Sequence, residues 1–180
     1  MQEEEYLQRL SAEQRDMYSR GKRALLEGEL QTANKLFADI LEERSDCVLA
    51  YNKQAIVFIR RDELEKAKTL LQKALNLNSE YVPALTNLGS LEKKKGNLER
   101  AEKLYQQALE VDPEYGTAYN NLAVIYRERG DYTRSVKYMK KARKYGSIGF
   151  AYGDRSFYKR PGCIFLLLFP IAIILFLVFV

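Results

Sequence analysis

Large apolar and very small residues recur along this chain with a period of 34 residues, and the pattern holds through four turns. In rows beginning at Gln14, Val48, Val82 and Gly116, the fourth column holds Met17, Tyr51, Leu85 and Tyr119. The eighth holds Gly21, Ala55, Gly89 and Ala123, and the twentieth Ala33, Ala67, Ala101 and Ser135. Bulky residues return in the twenty-fourth column as Phe37, Leu71, Tyr105 and Met139, followed by Ile40, Ala74, Ala108 and Ala142 in the twenty-seventh. Between the two halves of each row stand Gly28-Glu29-Leu30, Asp62-Glu63-Leu64, Gly96-Asn97-Leu98 and Gly130-Asp131-Tyr132.

This pattern predicts two helices per row. The small residues let the helices approach where a larger side chain would force them apart, and the bulky columns fill the space beside them. A Gly or Asp in the middle supplies the turn, because Gly accepts the positive φ that often ends a helix. Asp112-Pro113 stops the second helix of the third row. One helix pair cannot bury its apolar face alone, and about three or more are needed for a stable stack. The predicted domain therefore spans 14–149, as rows 14–47, 48–81, 82–115 and 116–149. Residues 1–13 form a short lead-in helix, and Ser11-Ala12-Glu13-Gln14 has the spacing of a capping box.

A different pattern closes the chain. Cys163–Val180 is 18 residues without a charge, of which 15 are Ile, Leu, Val or Phe. As a helix it would be roughly 27 Å long, close to the thickness of a bilayer core. Insertion scales give roughly −4 to −9 kcal/mol for such a composition, against at most ~3 kcal/mol for a helix-interior proline at Pro170. The reading is a transmembrane helix, with a shallow re-entrant segment bent at Pro170 as the alternative. Between it and the rows, 150–162 reads as a basic and aromatic juxtamembrane linker.

Charge reinforces this division. Residues 1–131 carry 20 Lys and Arg against 23 Asp and Glu, whereas 132–180 carry 9 against 1. Lys137, Lys140, Lys141 and Lys144, with Arg134, recur at helical spacing, and Lys159 and Arg160 follow among Phe150, Tyr152, Phe157 and Tyr158. Rings at headgroup depth and cations beside anionic lipid suit a membrane surface, so these lysines and Arg160 are candidate lipid contacts. The excess of basic residues before the span places the N-terminal domain in the cytosol. With no basic residue beyond it, the span resembles a tail anchor of a bacterial inner membrane or endoplasmic reticulum more than one of the mitochondrial outer membrane. No nucleic-acid recognition motif accompanies the basic stripe.

The chain contains no histidine, no phosphate loop and no disulfide framework, since Cys47 and Cys163 lie in unrelated settings. No enzyme, catalytic residue, metal site or cofactor is expected.

The columns resemble the tetratricopeptide repeat, with small residues at eight and twenty and bulky ones nearby. Arg20 and Gln54 depart from its leucine at column seven, and Pro113 alone fills its proline column. The resemblance implies an all-α, right-handed superhelical solenoid of four helix pairs, whose first helices line a concave groove that holds a partner segment. Carried onto this sequence, the groove positions give Lys22, Asn52, Lys53, Arg60, Asn87, Lys94, Asn121 and Arg127, together with Tyr18, Ser90 and Lys93. An asparagine there can bond both the C=O and the N–H of an extended backbone. The cations face only Glu128 among acids, which suits an acidic protein or peptide partner. The carboxylate clamp of chaperone-binding relatives needs a Lys and Asn set that neither register supplies, so Hsp70 and Hsp90 C-termini are disfavoured. The expected function is a membrane-anchored adaptor or scaffold. A self-associating structural subunit and a protein-transport receptor are the alternatives.

Overall fold

The computed structural model describes residues 2–147, and among these every regular element is a helix. A short α1 (Gln2–Gln8) precedes eight longer helices: α2 (Ala12–Glu27), α3 (Leu30–Glu43), α4 (Val48–Arg60), α5 (Leu64–Leu77), α6 (Val82–Lys94), α7 (Leu98–Val111), α8 (Gly116–Glu128) and α9 (Tyr132–Lys144). The linker 150–162 and the apolar run 163–180, with Lys159 and Arg160, lie outside the described residues. Among the described residues no helix is long and apolar enough to cross a membrane.

Local chemistry fixes the helix ends. Ser11 Oγ accepts from the Gln14 amide at 3.1 Å while the Gln14 side chain accepts from the Ser11 amide at 3.2 Å, so both halves of the capping box form. Between the helices of a pair the chain takes a left-handed residue: Gly28, Gly96 and Gly130 have φ of 86°, 84° and 76°. In the second row that residue is Asp62, at φ 64°.

The helices stack as the pairs α2/α3, α4/α5, α6/α7 and α8/α9, and each second helix also packs on the first helix of the next pair. Tyr18, Phe37, Ile40, Leu49, Leu71, Leu91, Tyr105, Leu122 and Ile125 are fully buried between them. The eighth and twenty-fourth columns meet directly. A Cβ on Gly21 would lie 2.7 Å from Phe37 Cε1, and one on Gly89 would lie 2.6 Å from Tyr105 Cε1. Where the partner column holds Leu71 or Met139, the small residue is alanine instead.

The two departures at column seven have separate reasons. Arg20 faces solvent and pairs with Asp16 one turn back at 3.3 Å. Gln54 is buried, and its Nε2 donates to Asn34 Oδ1 on α3 at 3.2 Å. An amide pair thus replaces the apolar contact at that interface.

The sequence of contacts also gives the stack its curvature. First helices touch one another across consecutive pairs, α2 with α4, α4 with α6 and α6 with α8, whereas second helices scarcely do. The inner face is therefore made by α2, α4, α6 and α8.

Candidate functional site

Polar residues at columns five and six form part of that inner face. Asn52 on α4 is buried, and its Oδ1 accepts from Asn87 Nδ2 on α6 at 2.8 Å. Asn121 on α8 donates more distantly to Ser90 Oγ, at 3.5 Å, and Ser90 in turn donates to the Thr86 carbonyl. The asparagines thus divide by role. Asn52 is spent on Asn87, while Asn87 and Asn121 remain half-buried at the surface.

The cations divide similarly. Arg60 Nη1 donates to the Leu25 carbonyl and Lys94 Nζ to the Ile59 carbonyl, the latter at 3.3 Å. Each thereby binds a carbonyl in the last turn of the preceding first helix, where the negative end of the helix dipole favours a cation. These two residues tie neighbouring repeats together. Lys94 also pairs with Asp62 at 2.6 Å, and Lys93 with Glu128 at 3.7 Å. Arg127 is exposed.

Lys22 and Lys53 stand apart from this arrangement because α1 crosses the inner face beside them. Glu3 of α1 accepts from Tyr18 Oη at 3.0 Å and from Lys22 Nζ at 2.7 Å. The expectation that Glu128 alone among acids faces the groove cations is therefore corrected: Glu3 and Asp62 do so as well. Burial opposes ionisation of Glu3, but the Lys22 bond, the fields of Lys53 and Lys22 and the Tyr18 hydroxyl outweigh it, holding its carboxyl below the usual range. Burial lowers the pKa of Lys53; Glu3 opposes that shift and Lys22 adds to it. Among the described residues no carboxylate reaches ion-pairing distance of Lys53. Further along α1, the Tyr6 ring meets Tyr81 edge-on at 5.6 Å, Asn78 Nδ2 donates to Tyr6 Oη at 2.5 Å, and Leu7 packs on the core.

The surface lysines of α9 form a second candidate surface. Lys137, Lys140, Lys141 and Lys144 are exposed, although Lys141 lies over the Tyr119 ring at 5.0 Å and Lys144 over Tyr145 at 4.9 Å. Tyr119, Tyr126, Tyr138 and Tyr145 stack in series between α8 and α9, with centroids 5.3 to 6.1 Å apart. Beside them Tyr132, Val136, Lys137 and Lys140 line an open depression on the outer side of α9. In the earlier pairs this side packs against the next helix.

With this geometry in place, sequence comparison is decisive for the fold. The tetratricopeptide repeat profile matches residues 46–114 and again 82–145. The chain belongs to the tetratricopeptide repeat family. It is a protein–protein interaction scaffold of that type. Among solved structures it is similar to MamA, at 25% identity and a TM-score of 0.59, with 72% of this chain and 75% of that one covered. It is also similar to TTC0263, a tetratricopeptide protein of Thermus thermophilus, at 18% identity and a TM-score of 0.67, with 74% of each chain covered. PilF of Pseudomonas aeruginosa matches at 21% identity and a TM-score of 0.66, over 74% of this chain and 61% of that one. No curated protein sequence matches.

Glu3, Tyr6 and Asn78 are site residues that the repeat pattern does not single out. Glu3 and Tyr6 belong to no row, and Asn78 occupies a column with no groove role. The one available signal was the spacing Glu3, Tyr6, Leu7, which puts an acid, an aromatic and an apolar residue on one face of a helix.

Proposed function

We propose that this protein is a membrane-anchored adaptor without catalytic activity, which holds an acidic segment of a partner protein on the inner face of its repeats at the cytosolic side of a membrane. The supporting observation is the pair of lysines on that face, Lys22 and Lys53. Together they present two ammonium groups to a single carboxylate, Glu3. Asn87, Asn121 and Arg127 extend a polar face beyond them. The apolar run 163–180 supplies the anchor, and the exposed lysines of α9, with Lys159 and Arg160, add attraction to anionic lipid. Confinement to a surface raises local concentration, which makes a weak groove interaction useful.

One full-length variant and one truncation test the reading. Lys53→Ala/Asn121→Ala/Arg127→Ala removes groove contacts without touching the Asn52–Asn87 pair. Removal of 163–180 takes away the anchor. The expected outcome is loss of cross-linking to the native partner in the first, with membrane association kept, and release into the soluble fraction in the second. Retention of every cross-linked partner by the groove variant would exclude groove binding, and continued membrane association without 163–180 would exclude the anchor.

The outer side of α9 favours a second reading, a self-associating subunit. Tyr132 and Val136, one helical turn apart, are 68% and 51% exposed where earlier pairs are covered by a following helix. A strict monomer at all concentrations in detergent would eliminate it.

A further inference from the structure

The first seven-residue helix is too short to persist alone in water, so its helical state depends on what it touches. It touches the inner face through three side chains at positions i, i+3 and i+4. Glu3 bonds Tyr18 and Lys22, Tyr6 meets Tyr81 and Asn78, and Leu7 enters the core edge. Glu4 and Glu5 face solvent, where Glu5 pairs with Arg9 one turn further on.

From this geometry we infer that α1 is a built-in occupant of a carboxylate-reading site formed by Tyr18, Lys22 and Lys53, and that an acidic helical segment of a partner protein displaces it. The inference rests on the groove-binding reading above and specifies its ligand. The ligand presents an acidic residue, then an aromatic three positions on and a leucine-like residue four positions on, with a second acid able to reach Lys53.

Charge balance argues for displacement over permanent closure. Two ammonium groups converge on this part of the groove, and α1 delivers one carboxylate to it. Lys53 is partly buried yet has no direct ion pair among the described residues, so the resident helix leaves the site incompletely neutralised. A purely structural lead-in would be expected to place an apolar side chain over α2 and α4, avoiding the desolvation of an ammonium group. A ligand carrying two acids satisfies both lysines and out-competes a segment that satisfies one. The Glu3–Lys22 contact is also half exposed, at 38% and 42% side-chain accessibility, which leaves it open to competition.

The test uses full-length protein in detergent and a fluorescein-labelled peptide copying residues 1–10. Glu3→Ala/Tyr6→Ala undocks α1 without altering the groove. Lys22→Glu/Lys53→Glu added to it reverses the site. Anisotropy is expected to show weak binding by the native chain, at least tenfold tighter binding by the undocked variant, and loss of binding by the site-reversed chain. A peptide carrying lysine in place of its Glu3 should bind the site-reversed chain, which also shows that this chain is folded. Equal affinity for the native and undocked chains would overturn the inference, as would peptide binding that survives site reversal. A native dimer dissolved by the peptide would assign the site to a second copy and likewise overturn it. If the undocked chain takes the peptide no better but Lys53→Ala/Asn121→Ala/Arg127→Ala still loses the native partner, the groove reading stands and this inference alone falls. If that variant keeps its partner, the groove reading falls with it.

Discussion

Gly89 lies flat against the Tyr105 ring, so close that a methyl group in its place would sit 2.6 Å from Cε1. Gly21 and Phe37 repeat the relationship at 2.7 Å. The ring edge occupies the space of the missing side chain, and the two helices of the pair approach as closely as their backbones permit.

Gly89→Ala is therefore expected to destabilise the protein. The better helix propensity of alanine returns up to about 1 kcal/mol, but overpacking typically costs about 1–3 kcal/mol. The ring is fully buried, and its hydroxyl contacts Ser90 at 3.2 Å, so it cannot move away cheaply. At the other site, Gly21→Ala combined with Phe37→Leu should lose less than the sum of the single changes, because alanine and an aliphatic partner is the combination already used with Leu71. Urea denaturation of the cycle checks this.

Asn52 and Asn87 form a second coupled pair. Asn87→Ala leaves the buried Asn52 amide without its partner, at a cost of about 1–3 kcal/mol. Replacing both should cost less than the two single changes combined. Additive losses in a double-mutant cycle would show that the 2.8 Å contact contributes little.

Asp62 occupies the left-handed position that three other rows give to glycine. Non-glycine residues there lose roughly 1–2 kcal/mol, while the exposed Lys94 pair returns at most about 1 kcal/mol. Asp62→Gly should raise the unfolding free energy by about 0.5 kcal/mol, read as a higher urea midpoint with an unchanged slope. Asp62→Asn should fall between the two.

The docking of α1 should depend on pH with a defined sign. Glu3 has a folded pKa below its unfolded value, so its contribution is fully present above the ordinary carboxylate pKa. That contribution is lost as pH falls through the lowered folded value. Amide protection factors in α1, exchange measured against the intrinsic rate at each pH, should fall over that acidic window while α6 and α7 remain protected. Because the Lys22 contact is half exposed, added salt should produce part of the same effect at neutral pH.

Lys53 gives the opposite expectation. Burial disfavours its charge, so Lys53→Met, which keeps the chain length and removes the ammonium, should leave stability unchanged or raise it by about 0.5–1 kcal/mol. The same change should abolish binding of acidic peptide. Loss of both stability and binding would mark Lys53 as structural only.

The pairs just described show where the sequence was legible. Columns eight and twenty-four are one physical contact seen in two places, and small-against-large chemistry recurs in every row, so the helix pairing could be read from periodicity. Arg60 and Lys94 were harder. Their column suggests an open groove, yet the carbonyls they bond belong to the preceding row, 35 residues earlier. Column-by-column reading compares equivalent positions and does not show contacts offset by one. Glu92 is similar: it is fully buried between Asn97 and Arg100, where the other rows hold Ala24, Phe58 and Tyr126. The crossing of α1 was least legible, because a segment outside the period carries no register to indicate which rows it will cover.

The bonds from Arg60 and Lys94 also have a mechanical meaning. Each clamps one first helix to the end of the one before it, through a carbonyl that neither titrates nor diffuses away. The corresponding position in the fourth row is Glu128, which cannot donate and meets Lys93 only through a 3.7 Å ion pair. The step into the last repeat is latched elsewhere, where Glu102 of α7 accepts from Tyr126 Oη on α8 and from Arg129 just beyond it. Successive turns are thus latched at different places, along the inner face for the first two steps and between α7 and α8 for the third.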